Sequence, residues 1–234
     1  MTLANRTACA VLLVCHSACA AASDLSYTFI DFKVLGNSVD ATGIQTSAPG
    51  QTVRVDAGDG DGIAVAGGML LPGRFYLTGE FASSVIDVDG IVQSPLTVAQ
   101  VSGEFDLVTS TLAIGYQREL SENFDVIAEL SYDSVEYDFG SFAGERFDTD
   151  GSGVGARVGF RWNPVPPFEL FASAKYSPAG AVSLDARELD GETRVSSGVR
   201  WYFFEDLGVG IDYESGDASA WTLSMRFSFG NLPW

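Results

Sequence analysis

Residues 147–160 read FDTDGSGVGARVGF. Asp148, Asp150, Ser152 and Gly153 fall at positions 1, 3, 5 and 6 of a calcium loop of the EF-hand type. Such a loop holds a hard cation through carboxylate and carbonyl oxygens and closes with a bidentate Glu at its twelfth position. The twelfth position here is Gly159, and the residues around it alternate in polarity instead of entering a helix. Asp148 and Asp150 therefore stand only as weak surface ligands for a divalent cation. No metal centre and no cofactor is expected.

General acid–base chemistry near neutral pH draws first on histidine. The chain has one, His16, together with three cysteines, Cys9, Cys15 and Cys19. All four lie in residues 1–22, MTLANRTACAVLLVCHSACAAA. This stretch carries one positive residue, Arg6, then a mostly apolar run, then Ala20-Ala21-Ala22 before Ser23. That is the pattern of a secretory signal peptide. The apolar run is too short for a membrane-spanning helix, which needs about 20 residues. Lipid attachment at Cys19 is the weaker reading, because His16 stands where an aliphatic residue is wanted. Removal of residues 1–22 would leave 23–234 as one domain without His or Cys. Arg6 would go with it, moving the formal charge from −18 to −19. The product would sit in an oxidising compartment without disulfides. Its acidic residues are too numerous to single out a catalytic pair. So negative a chain is excluded from binding nucleic acid, whose phosphates need a basic face.

The elements that would carry the remaining charges are written in a period of two. In 153–162, Val154, Ala156, Val158, Phe160 and Trp162 share one face, while Gly153, Gly155, Arg157, Gly159 and Arg161 share the other. In 124–133, Phe124, Val126, Ala128, Leu130 and Tyr132 oppose Asp125, Ile127, Glu129, Ser131 and Asp133. In 220–229, Trp221, Leu223, Met225, Phe227 and Phe229 oppose Thr222, Ser224, Arg226 and Ser228. Ten such runs are counted: 26–35, 62–71, 74–86, 104–118, 123–137, 152–163, 167–177, 191–204, 207–214 and 219–229. Eight is the alternative count. After residue 24 no apolar stretch reaches eighteen residues, so no membrane helix is predicted.

The connections alternate too. Leu71–Gly73, 119–122, Asn163–Pro167 and Glu205-Asp206 are short. Segments 36–61, 87–103, 138–151 and 178–190 are longer, acidic and rich in Gly, and read as outer loops; Asp148–Gly151 reads as a loop rim. Short turns on one side and long loops on the other are the asymmetry of a membrane barrel with periplasmic turns and extracellular loops. An even strand count puts both chain ends on the periplasmic side. Many runs exceed the usual strand of about 5–6 residues. Aromatics collect at both run ends, as two interfaces require: Trp162, Phe168 and Trp201 by the short turns, Tyr132, Tyr176, Tyr213 and Trp221 by the long loops. A soluble β-sandwich also alternates and is the competing fold.

The segments TLAIGYQRELSENFDVIAELSY, GVGARVGFRW, GVRWYFFEDLGVGIDY and the final WTLSMRFSF resemble those of the small outer-membrane β-barrel family, the OmpA-type and porin-like barrels. The resemblance covers essentially all of 23–234, and its motifs are generic. It implies an all-β fold, a closed antiparallel transmembrane barrel in the cell outer membrane, inserted by the barrel-assembly machinery. It also implies a C-terminal assembly signal, matched by Phe227 and Phe229, with Trp234 as the other candidate for its end. Enzymes of this family class use a histidine, which 23–234 lacks, so no enzymatic activity is expected.

If the apolar faces meet lipid, Glu80, Glu129, Arg157, Arg161, Arg200, Asp212 and Arg226 point into the lumen. Opposite charges there should pair, because an unpaired buried charge costs several kcal/mol. The expected product is a plugged, charge-paired barrel serving envelope integrity or surface interaction through acidic loops. A narrow porin-like channel for ions or small solutes is the alternative. The loop acids could hold divalent cations beside the phosphates of lipopolysaccharide.

Overall fold

The computed structural model describes residues 26–39, 44–48, 51–93, 98–142, 145–179, 191–216 and 218–229. It contains eleven strands: β1 (Phe29–Val39), β2 (Ile44–Ala48), β3 (Gln51–Leu70), β4 (Phe75–Gln93), β5 (Val98–Ser121), β6 (Phe124–Phe142), β7 (Glu145–Val165), β8 (Phe168–Ser177), β9 (Glu192–Phe204), β10 (Leu207–Ser215) and β11 (Ala218–Ser228). Every pairing is antiparallel between sequence neighbours, except that β1 pairs with both β3 and β11. β2 pairs only with the start of β3. The other ten strands therefore close into a barrel. Closure leaves no free edge, so every backbone N–H and C=O of the wall can find a partner without water.

The start of β1 and the end of β11 meet where the short turns lie, with the Phe229 amide donating to the Thr28 carbonyl at 2.8 Å. The β3–β4 turn is tight because Gly73 adopts φ 78°, a conformation open to glycine.

Closure decides which face is outside. Leu112, Leu130, Val154, Val158, Val195 and Ile211 are each more than half exposed, whereas Asp31, Glu129, Asp133, Glu169 and Arg200 are buried. A sandwich would hide the first set and expose the second. The apolar band on β4 runs outward from Phe75 through Leu77 and Phe81 to Val85. Ten residues at about 3.3 Å, tilted by about 40°, span about 25 Å, the height of the apolar band of a membrane barrel. Aromatic contacts mark its turn-side edge: Phe75 meets Tyr116 at 5.3 Å, Phe168 meets Trp201 at 6.2 Å and Trp201 meets Phe203 at 4.3 Å between ring centroids. Tyr132, Tyr176, Tyr213 and Trp221 lie exposed at the other edge.

Beyond that edge the two faces exchange character. On β4 the outward positions after Val85 are Asp87 and Asp89, both exposed, while the inward Ile86 is fully buried. On β5 the outward residues become Glu104 and Asp106, and on β6 Glu136. Inward, Val135, Tyr137 and Ala179 form a small apolar core with Phe105 and Leu107 packed on it. The flip follows from the solvent. A wall in lipid must be apolar outside; the same wall in water is stabilised by the reverse arrangement.

Much of the expected outer loops is strand. Residues 51–61, 87–93, 98–103, 138–142 and 145–151 belong to β3–β7, not to loops. Asp148–Gly151, read as a loop rim, lies within β7, where Asp150 pairs with Glu136 and Asp148 with Asp138. The lipid-driven alternation stops at the flip, but backbone pairing carries on past it. Residues 180–190, most of another expected loop, lie outside the described set. β8 to β11 are short, at 9 to 13 residues, against 19 to 24 for β3 to β7. Among the described residues, the strand wall therefore reaches further along β3 to β7 than along β8 to β11.

Single cysteines test the flip. Cysteine at Phe81 or Val85 should resist a charged, water-borne maleimide in lipid vesicles, while cysteine at Asp87 or Asp89 should react. Equal reaction at all four would refute a membrane edge at this level.

Candidate functional site

The inward faces of the strands stack their charges in tiers. At the turn end, Arg161 on β7 donates to Glu169 on β8, Nε to Oε1 at 3.2 Å and Nη2 to Oε2 at 2.9 Å. Arg200 on β9 donates to the same carboxylate at 3.0 Å, and the Tyr202 hydroxyl does so at 2.9 Å. Arg226 on β11 makes a fork with Asp31 on β1, at 2.7 and 2.5 Å. Arg200 Nη2 stands 3.8 Å from the same Asp31. Planar guanidinium groups suit this tier because each presents several donors in fixed directions.

One tier up, Glu129 accepts from Tyr76 at 2.8 Å and pairs with Arg157, while Lys33 pairs with Glu80. Tyr76 can cross to Glu129 because its ring lies over Gly115, where a Cβ would come within 2.2 Å of it. Above these, Lys175 Nζ meets Asp133 at 2.8 Å, and Asp133 also accepts from Thr111 at 2.9 Å. Near the outer rim Arg194 bridges Glu192 and Glu214, at 2.6 and 3.3 Å.

The structure thus brings Glu129 to Arg157 and Arg226 to Asp31, and joins Arg161 to Arg200 through Glu169. Glu80 reaches Lys33, not an arginine. Among the described residues Asp212 forms none of these ion pairs; its register partner on β11 is Thr222. The residue that sequence reasoning left out is Glu169, whose side chain is 1% exposed and which takes donors from three side chains. It lies on the inward face of the 167–177 run, among Phe171, Ser173 and Lys175, so its direction was legible. Its partners were not, because they come from strands whose register no local pattern fixes. Tyr27 and Tyr76 were missed for the same reason.

Other predicted residues have simpler surroundings. Phe227 is exposed and packs edge-on against Phe32 across the β1–β11 seam, at 6.3 Å. Phe229 is exposed just after β11. Trp234 lies outside the described residues. Asp150 is exposed; the side chain of Asp148 is outside the described set. Among the described residues no group of three or more acidic, His or Cys side chains is placed to hold a metal ion.

Within the lumen lies a cavity of about 340 Å³, lined by seven Lys or Arg and seven Asp or Glu side chains. In a protein of formal charge −18, the interior is charge-balanced. Each tier can fasten strands to one another, and none offers an unpaired nucleophile beside a base.

A closed ten-strand barrel with an outward apolar band, aromatic edges and a charge-paired lumen is a transmembrane β-barrel of the outer-membrane type. No family model and no curated protein matches the chain. Among solved structures it is similar to the translocator domain of the autotransporter NalP from Neisseria meningitidis, at 13% identity, covering 97% of this chain and 96% of that one, TM-score 0.49. It is also similar to the KdgM porin in complex with oligogalacturonate, at 7% identity, covering 86% and 99%, TM-score 0.45. A third is Ail, the attachment invasion locus protein of Yersinia pestis, at 15% identity, covering 87% and 99%, TM-score 0.39. These overlaps are loose, and the class rests on the barrel's own geometry.

Proposed function

We propose that this is a non-enzymatic integral protein of the cell outer membrane whose lumen is plugged by its own charge pairs. Its role is envelope integrity or surface interaction. The observation that carries the reading is the turn-end tier, where Glu169, Arg161, Arg200, Asp31 and Arg226 are buried and joined across the lumen. A path for solutes through this tier would have to displace buried polar side chains from their partners, which the low dielectric inside a small barrel makes costly. In this reading residues 1–22 direct export, and Phe227, Phe229 and Trp234 present the assembly signal to the barrel-assembly machinery. Lipid covers the apolar band. The acidic outward face of β3–β6 stands at the level of lipopolysaccharide, where divalent cations would bridge carboxylates and phosphates.

Planar-bilayer recording tests this. Purified, heat-modifiable barrel is expected to give no steady openings. Steady openings whose size changes with Arg157→Ala would overturn the plugged reading. They would favour the second one, a narrow channel, to which the cavity and the half-exposed Lys33–Glu80 pair belong.

A further inference from the structure

The turn-end tier is completed by residues that are not part of any strand. Ser26, Tyr27 and Thr28 precede β1, yet Tyr27 is turned into the lumen and is 4% exposed. Its hydroxyl donates to Asp125 on β6 at 3.0 Å. Its ring lies 4.8 Å from that of Tyr76 on β4 and beneath the Arg161 guanidinium at 4.5 Å. Arg161 also donates to the Ser26 carbonyl at 3.0 Å.

The ring order gives these contacts their meaning. Going round the barrel, β7 is five strands from β1 in either direction, so Arg161 stands diametrically opposite the start of β1. The Ser26–Tyr27–Arg161 contact spans the whole lumen. From Arg161 the chain of contacts runs through Glu169 to Arg200, then to Asp31, and so returns to β1. On the other side Tyr27 continues through Tyr76 to Glu129 and Arg157. The ion pairs higher up join strands no more than two apart in the ring and leave the cavity between them.

We propose that Ser26–Thr28 is a strap that seals the inner end of the lumen, with Tyr27 as its stopper. The inference rests on the plugged-lumen reading and places the seal at one level. Every other member of that tier is fixed in a strand ladder. The strap is held by five hydrogen bonds to its surroundings: the Tyr27 hydroxyl to Asp125, Thr28 Oγ1 from the Leu70 amide, the Thr28 carbonyl from the Phe229 amide, the Ser26 carbonyl from Arg161, and Ser26 Oγ to the Phe229 carbonyl. It can leave the lumen without unpairing any strand, which makes it the element through which the closed barrel would open.

The test is Tyr27→Ala in the full-length barrel, with Tyr27→Leu as the milder variant should alanine impair folding. Each is first shown to keep heat-modifiable mobility. Both should gain steady conductance in planar bilayers where the unaltered protein has none. Tyr27→Phe, which keeps the ring over Arg161 and Tyr76, should stay closed, as should Arg157→Ala, which acts above the seal. A second readout uses Ser131→Cys, inside the lumen above the strap. A charged thiol reagent supplied from the turn side should label it only when Tyr27→Ala is also present. Folded Tyr27→Ala and Tyr27→Leu barrels that stay closed would overturn the strap while leaving the plugged reading intact. Steady conductance in the unaltered protein would overturn the plugged reading. If Tyr27→Ala then left that conductance unchanged, the strap would fall with it; if it enlarged the conductance, the strap would stand as the constriction.

Discussion

Glu169→Ala is expected to lower the stability of the folded barrel by about 3–5 kcal/mol, the range for breaking a buried ion pair from one side. Glu169 is 1% exposed and holds Arg161, Arg200 and Tyr202 together. Its loss leaves Arg200 with the more distant Asp31 at 3.8 Å and the Phe171 ring at 5.3 Å. Arg161 keeps the Ser26 carbonyl and the Tyr27 ring. Glu169→Gln, which keeps shape and one acceptor, should fall between alanine and the parent. The control is Glu80→Gln. That side chain is 41% exposed in its pair with Lys33, and solvent screening limits such a pair to about 1 kcal/mol or less. Urea unfolding from lipid vesicles, followed by heat-modifiable mobility, measures all three. Equal losses at Glu169 and Glu80 would show that the turn-end tier is not the structural clamp described here.

The second large effect belongs to the outer surface. Leu130 on β6 is 61% exposed and lies about midway between the turn-side Phe124 and the flip at Glu136. Leu130→Arg should destabilise insertion by about 2–4 kcal/mol, the penalty for arginine at the bilayer midplane. Val108→Arg, on the outward face of β5 beside Glu136, should cost about 0–1 kcal/mol, the value near an interface. Asp106→Arg, in water beyond the edge, should be close to neutral, as surface changes usually are. A depth-dependent series of this kind is peculiar to a membrane barrel. In a soluble protein these exposed positions would tolerate arginine alike, and a flat series would remove the membrane assignment.

Much of this was legible in the chain. Side chains alternate strictly along a strand, so a face that must be apolar writes its period directly into the sequence. The ten runs, the short turns between them and the placing of Glu129, Arg157, Arg161, Arg200 and Arg226 on the face opposite the bulky apolar residues all followed from that. The strand ends did not. β5 begins at Val98, not near 104, and β7 at Glu145, not near 152. The pattern that locates a strand in lipid ends at the membrane edge, and Asp and Gly beyond it imitate a loop.

Alternation by itself determined that this chain makes long amphipathic strands and which residues share a face. It could not determine which face is outside, because a sandwich and a barrel satisfy the same period. The pairing of β1 with both β3 and β11 decided that, since a sheet closed on itself has one interior. Nor could alternation name partners across the lumen. Tyr27 meeting Arg161, and Glu169 serving two arginines, depend on ring order and register, which bring together residues far apart in the chain. Such contacts are properties of the closed barrel and of no segment of the chain.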